Sequence, residues 1–356
     1  MYSAGPPQGA KAPLGGSDTH SLNPRKTASC APRVRVARRP VHGVLLLDKP
    51  LHWSSNDILQ KVKWLLRAEK AGHTGTLDPL ASGVLPLCFG AATKFSQLQL
   101  DADKTYTATV RLGVRTSTGD AEGEVLETRP VQVTPDDLAR VQRQFTGVIT
   151  QLPPMHSALK KDGKALYEYA RAGLEIEREA RQLTIHALQL ALHQDAQGHP
   201  CIDMTVTCSK GTYIRTLGED IGSALGCGAH LSALRRVGTG GFTAAQCVRL
   251  DALEAMDEAQ RLDCLLPVSS LLSEHTQIQL DHNNAARFLS GLRRRGHWPD
   301  APQVAVFGPE HDLLGSGHVK AGELIPSRLL SPSDIEQIAQ QSRTASSPTP
   351  PAVLPL

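Results

Sequence analysis

No apolar run in this chain approaches the roughly 20 residues that a membrane-spanning helix needs. The seven cysteines, at 30, 88, 201, 208, 227, 247 and 264, include no C-x-x-C pair. An odd, scattered set argues against a disulfide framework or a zinc site and fits a reducing, cytoplasmic setting. A Walker-type Gly-x4-Gly-Lys-Ser/Thr loop and a Gly-x-Gly-x-x-Gly dinucleotide fingerprint are both missing, so neither phosphate cradle is expected. No group of His, Cys and Asp has metal-ligand spacing, and no internal repeat is visible. Cofactors and metals are accordingly expected to be none.

Strong net charge is also lacking. The formal +3 over 356 residues hides an asymmetry. Residues 1–41 carry seven Lys or Arg against Asp18 alone, a net of +6, which leaves the rest of the chain at −3. Any affinity of the folded part for nucleic acid must therefore come from local patches. Rich in Pro, Gly, Ser and Arg, residues 1–41 read as a disordered basic arm. A transit peptide is the rival reading, and the Pro and Gly content weakens its amphipathic helix. With 40% hydrophobic and 21% charged residues, the remainder has the composition of a globular protein of more than one domain.

What is present centres on Gly72-His73-Thr74-Gly75-Thr76-Leu77-Asp78-Pro79-Leu80-Ala81-Ser82-Gly83, a small-residue loop with one carboxylate. Pro79 biases Asp78 away from helical backbone, so the carboxylate projects from a turn. Most Asp-Pro pairs only initiate turns, and that reading stays open on spacing alone. An apolar strand follows at 84–89. Upstream, residues 43–50 read as a buried strand, and Ser54 or Ser55 caps a helix with Ile58, Val62, Leu65 and Leu66 on one face.

Downstream, Thr105-Tyr106-Thr107-Ala108-Thr109-Val110-Arg111-Leu112 alternates as a half-buried strand. Thr134-Pro135-Asp136-Asp137 starts a helix with Leu138, Val141 and Phe145 inward. Residues 152–181 gather Lys160, Lys161, Lys164, Arg171, Arg178 and Arg181 around Tyr167 and Tyr169. Such a mixture suits RNA phosphates and unstacked bases, and equally a solvated hairpin. Another strand, 201–208, runs into Lys210-Gly211-Thr212-Tyr213-Ile214-Arg215, where Gly211 permits a tight turn into a helix. Residues 230–237 form a further strand, and 251–265 a helix. Past about 275 lies a smaller unit with a helix near 283–290, basic Arg293-Arg294-Arg295 and a strand at 303–307. One short helix after 331 would precede a mostly disordered tail.

Four of these features, in this order, resemble the bacterial tRNA pseudouridine-55 synthase (TruB-like) family. They are the Asp78 loop with the following Gly90-Ala91-Ala92-Thr93-Lys94, Lys104-Thr105-Tyr106, Ser157-Ala158-Leu159-Lys160, and Lys210-Gly211-Thr212-Tyr213-Ile214-Arg215. The resemblance runs from about residue 43 to 250. It implies an α+β catalytic domain at 42–274, built on a mixed, mostly antiparallel sheet flanked by helices. An RNA-clamping insertion at about 152–181 and a small β-rich, PUA-like RNA-binding module at 275–330 are implied with it. The activity implied is isomerisation of the T-loop uridine at position 55 of tRNA to pseudouridine.

By the same resemblance Asp78 is the catalytic carboxylate, Arg215 its ion-pair partner, and Tyr106 the group that stacks on the target base and assists proton transfer. His73, Tyr213, Leu234 and Lys160 are implied on the substrate side. Each also has a plainer reading: Tyr106 and Leu234 as core residues, His73 as a loop residue, Arg215 as a helix-surface arginine. His156 stands where relatives often have tyrosine. Arg293–Arg295 grip phosphates or form a solvated run. The partner implied is the T-arm stem-loop of tRNA, without a membrane, and a monomer is expected. A tRNA-folding chaperone without chemistry and an RNA-guided synthase are the alternative functions. Whether the carboxylate attacks the sugar or the uracil ring is open at this level.

Overall fold

The computed structural model describes residues 37–345. The basic arm up to residue 36 and the tail from residue 346 lie outside the described residues. Strand β1 is Gly43–Lys49, helix α1 Ser55–Leu65, and strands β2, β3 and β4 are Ala71–His73, Ala81–Phe89 and Lys104–Leu112. Among the described residues, ten strands form one sheet. Its main order runs Val248–Arg249, β1, β3, Ala229–Thr239, β4, Pro200–Cys208, Arg181–Gln194 and Gly147–Gln151, with β2 on β3 and Phe242–Thr243 on Ala229–Thr239. Two pairings are parallel, β1 with Val248–Arg249 and β3 with Ala229–Thr239, and the rest antiparallel. This is the mixed, mostly antiparallel sheet that the resemblance implies.

Local sequence accounts for the elements. The Ser54 side chain accepts a bond from the Asp57 amide at 3.1 Å and starts α1. Ile58, Val62 and Leu65 then turn inward one helical turn apart. In β4, Tyr106, Ala108, Val110 and Leu112 are buried, and the residues between them face outward. Leu45, Leu47, Leu85, Leu87, Val110 and Ile202 form one core under the helices, each worth about 1.5–3 kcal/mol when fully buried.

The opposite face of β1 and β3 packs elsewhere. Val44, Leu46, Val84 and Cys88 share a core with Phe95, Leu271, Ala305, Leu313 and Leu330. Ala305 and Leu313 belong to a second, five-stranded sheet: Thr276–Gln279, Ala301–Phe307, Leu313–Lys320, Glu323–Leu329 and Arg294–Arg295. The β-rich C-terminal module is thus joined to the larger sheet by common apolar packing.

Two sequence expectations need correction. The end of the arm is part of the fold: the Arg39 amide bonds the Arg67 carbonyl at 2.9 Å, and Val41 is buried. The helix expected at 251–265 is two, Leu250–Ala255 and Glu258–Asp263. Met256 is extended between them, and Asp257 caps the second by accepting from the Gln260 amide. The short helix expected after 331 is present as Pro332–Ala345, 14 residues long. It is held by partners remote in sequence. Ile335 and Ile338 pack on the shared core, Asp334 pairs with Lys94 at 2.7 Å, and the Gln341 amide brackets the His42 backbone.

No helix among the described residues is long and apolar enough to cross a membrane.

Candidate active site

The Asp78 loop leaves β2, crosses the end of the sheet and returns as β3. It is pinned at several points. The Ser55 hydroxyl accepts from the Leu77 amide at 2.8 Å and donates to the Leu77 carbonyl at 3.0 Å. The His52 amide donates to the Pro79 carbonyl at 2.7 Å, and the Ala81 amide closes a turn on the Asp78 carbonyl at 3.0 Å. At Gly83 the backbone has φ +104°, and a Cβ there would stand 2.1 Å from the Arg236 carbonyl oxygen. Only glycine allows β3 and the strand Ala229–Thr239 to meet at that spacing. With its backbone fixed, Asp78 leaves its side chain 43% exposed at the opening.

Arg215 comes from the first turn of the helix Ile214–Ala224, and its side chain is only 8% exposed. Its Nη2 lies 2.9 Å from Asp78 Oδ2 and donates to the His156 carbonyl at 2.7 Å. Nη1 donates to the Thr118 carbonyl at 2.9 Å and lies 3.6 Å from Asp120 Oδ2. Asp120 is itself buried, accepting from the Thr118 hydroxyl and the Glu122 amide. A buried guanidinium is tolerated here because two carboxylates and two carbonyls surround it.

Asp78, Asp120, Arg215 and Leu234 line a narrow, part-apolar cleft with Leu80 and Leu231. It adjoins a wider one that shares the three charged residues and adds His73, His156, Tyr167 and Arg171. Tyr167 and Arg171 stack as a cation–π pair with 5.3 Å between the guanidinium carbon and the ring. An apolar wall beside a paired carboxylate suits a flat, polar-edged ring such as a nucleobase.

The expected site residues are not all gathered in one place. Asp78, Arg215, Leu234 and His73 line the clefts. Tyr106 is buried on β4, lines neither cleft, and is paired with Arg236 across the sheet. Burial pushes the Tyr106 phenol up, and Arg236 partly opposes the shift. Burial, helped by Arg236, pushes the His73 imidazole down, towards the neutral ring. Tyr213 stands at the helix start with its backbone clamped by the Gln151 side chain at 2.8 and 3.1 Å, and it lines neither cleft. Lys160 is exposed on the short hairpin Lys160–Lys161 and Lys164–Ala165, also outside both clefts. His156 lines the wider cleft, and its carbonyl serves Arg215.

Sequence reading missed Asp120, Lys49 and Arg236. Lys49 is fully buried, donating to the Pro50 and Trp53 carbonyls at 2.9 and 2.7 Å. Burial pushes its amine down to about 8, against the pull of Asp78. For Asp120 a faint signal existed, a carboxylate in the turn Ser117-Thr118-Gly119-Asp120 after a strand. Lys49 falls at the end of a strand read as buried, whereas nothing in the local sequence marks Arg236 as buried.

Comparison with known proteins agrees with the fold. Residues 63–214 match the N-terminal domain of TruB family pseudouridylate synthases, and residues 215–273 the tRNA pseudouridylate synthase B C-terminal domain. The chain is 67% identical over 312 residues to tRNA pseudouridine synthase B of Verminephrobacter eiseniae, covering 86% of this chain and 94% of that protein. To the protein of the same name from Ralstonia nicotianae it is 58% identical over 305 residues, covering 84% and 97%. Among solved structures, a chain in a Cbf5–Nop10–Gar1 complex superposes with a TM-score of 0.63 at 25% identity, over 82% of this chain and 86% of that one.

Proposed function

The chain belongs to the TruB family of pseudouridylate synthases and is a tRNA uridine isomerase; on that premise we propose that its target is the T-loop uridine at position 55, with Asp78 as the catalytic carboxylate. The observation that carries this reading is the Asp78–Arg215 pair, with the carboxylate open to the cleft and the guanidinium buried behind it.

The reaction breaks the N1–C1′ bond of uridine and forms a C5–C1′ bond, while one proton leaves C5 and one is taken up at N1. Atoms balance without an external reactant, so this chain's own groups suffice. Asp78 assists detachment of the base, and Arg215 holds that carboxylate aimed into the cleft. Tyr106, buried on β4 in this structure, takes part in moving the proton from C5 once the base is seated. Leu234 and His73 hold the uracil in the cleft while it turns.

A stacked base must first leave the loop, at a cost of a few kcal/mol. Tyr167 and Arg171 at the cleft mouth, with Lys160 and Lys161 on the exposed hairpin, supply contacts that offset this cost. The RNA partner is the T-arm stem-loop, recognised by shape and by its unstacked bases, and the enzyme works as a monomer in the cytoplasm. We assign residues 42–274 to the catalytic domain, with its clamp at 152–181, and 275–330 to RNA binding.

The test is incubation of the purified protein with an unmodified T-arm stem-loop RNA and no guide, followed by chemical mapping of pseudouridine. Conversion of the single T-loop uridine is expected, with Asp78→Asn binding the RNA but converting none of it. Conversion by Asp78→Asn at the wild-type rate would remove the carboxylate from the mechanism. A requirement for added guide RNA would replace the self-contained mode of recognition.

A further inference from the structure

Arg236 is the bulkiest of the fully buried side chains, 1% exposed, in the central strand Ala229–Thr239. Among the described residues its guanidinium makes no ion pair. Its Nε donates to the Val84 carbonyl at 2.7 Å, and its Nη2 donates to the Gly75 carbonyl at 3.2 Å. The third neighbour is Tyr106, paired with Arg236 across the sheet. On its other side Arg236 pairs with Gly83, where the absent Cβ lets the strands close.

A buried guanidinium without a carboxylate is costly, and an apolar side chain of similar volume would pack at lower cost. The bonds that it makes explain its place. Gly75 and Val84 are the two ends of the loop that carries Asp78, and Tyr106 is the phenol below that loop. We propose that Arg236 is a positioning residue for isomerisation, cinching the base of the Asp78 loop and tying it to Tyr106 so that carboxylate and phenol keep a fixed mutual geometry. Paired with Arg236 across the sheet, Tyr106 has its place set by the same residue that holds the loop. Arg236 itself lines neither cleft and touches no substrate. This inference rests on the assignment of Asp78 and Tyr106 above.

The experiment uses the full chain and unmodified T-arm stem-loop RNA. Single-turnover rate at saturating enzyme and RNA dissociation constant are measured for Arg236→Lys, Arg236→Met, Tyr106→Phe and the two double variants, each checked by circular dichroism and urea melting. Arg236→Met is expected to lower the rate about 10- to 100-fold, as for a small misplacement of reacting groups, with the dissociation constant nearly unchanged. Arg236→Lys, which keeps a charge and a donor, should recover part of that loss. In the Tyr106→Phe background the same substitution should cost much less, because the two residues act as one unit.

A folded Arg236→Met enzyme at full rate overturns the proposal. So does a loss that multiplies unchanged through Tyr106→Phe, or one that appears only in RNA binding. If Arg236→Met does not fold, Arg236→Lys passes through the same cycle with the same outcomes. An active Asp78→Asn enzyme would instead sink the assignment beneath it, so the two failures are told apart.

Discussion

Arg215 lies between two carboxylates of unlike exposure, 2.9 Å from Asp78, whose side chain is 43% exposed, and 3.6 Å from Asp120, whose side chain is 10% exposed. Both line the cleft, the nearer acid the more open and the farther one buried in its wall. In the proposed mechanism the open acid meets substrate and the buried one steadies the guanidinium.

Asp120→Asn removes the steadying charge and keeps the shape. Arg215 is then drawn wholly to Asp78, which tightens the pair and makes the carboxylate a poorer reactant. The expected result is a loss of about 10- to 100-fold in single-turnover rate with little change in RNA affinity. Quench-flow conversion beside a filter-binding titration reads both, and a loss confined to affinity would contradict this account.

Arg215→Lys retains the charge and loses the fork. One ammonium cannot serve Asp78, the His156 carbonyl and the Thr118 carbonyl with the same geometry. The rate should fall by about 10²-fold or more, on the scale of losing a preorganised electrostatic contact. Binding of the T-arm RNA, followed by fluorescence anisotropy, should persist.

Gly83→Ala places a methyl 2.1 Å from the Arg236 carbonyl oxygen on a backbone with φ +104°. The parallel pairing of β3 with Ala229–Thr239 must open or shift. Urea unfolding should show destabilisation on the order of 3 kcal/mol or more, combining strain with lost sheet bonds. A variant as stable as wild type would mean that the two strands are not held this closely.

Asp334 links acid stability to the C-terminal helix. Burial pushes its carboxyl up, yet Lys94 and the Ser331 hydroxyl and amide outweigh that and hold it at about 2, below the ordinary 3.8. A carboxylate depressed in the folded state binds fewer protons there than when unfolded. Its contribution is therefore complete above about pH 4 and is lost as pH falls towards 2. Asp334→Asn should cost about 1–2 kcal/mol at pH 7, discounted for the part-exposed Lys94, and the gap to wild type should close near pH 2. Urea unfolding of both proteins between pH 7 and 2 measures it.

Much of the fold was legible because its signals are local. The alternation in β4, the Ser54 cap of α1 and the Thr134 cap of Pro135–Gln144 each depend on residues within one or two turns of chain. The anchoring of the C-terminal helix was not, since Pro332–Ala345 is polar by itself. It is stabilised by Lys94 and His42, about 240 to 300 residues earlier.

The candidate site divides in the same way. The Gly- and Pro-shaped turn around Asp78 and the Gly211 turn before Arg215 were visible in sequence because the backbone there favours Gly and Pro, and it was the family resemblance that pointed to Asp78 and Arg215 within them. The sequence by itself determined which loop holds the carboxylate and which helix start holds the guanidinium. Only the tertiary structure decided that they meet at 2.9 Å, that Asp120 stands behind them and that Arg236 is buried under the loop. Arg235 and Arg236 are identical in kind and adjacent in sequence, yet one pairs with Asp48 at the half-exposed surface and the other is sealed inside. Successive residues of a strand face opposite sides, and what lies on each side is set by strands far away in the chain.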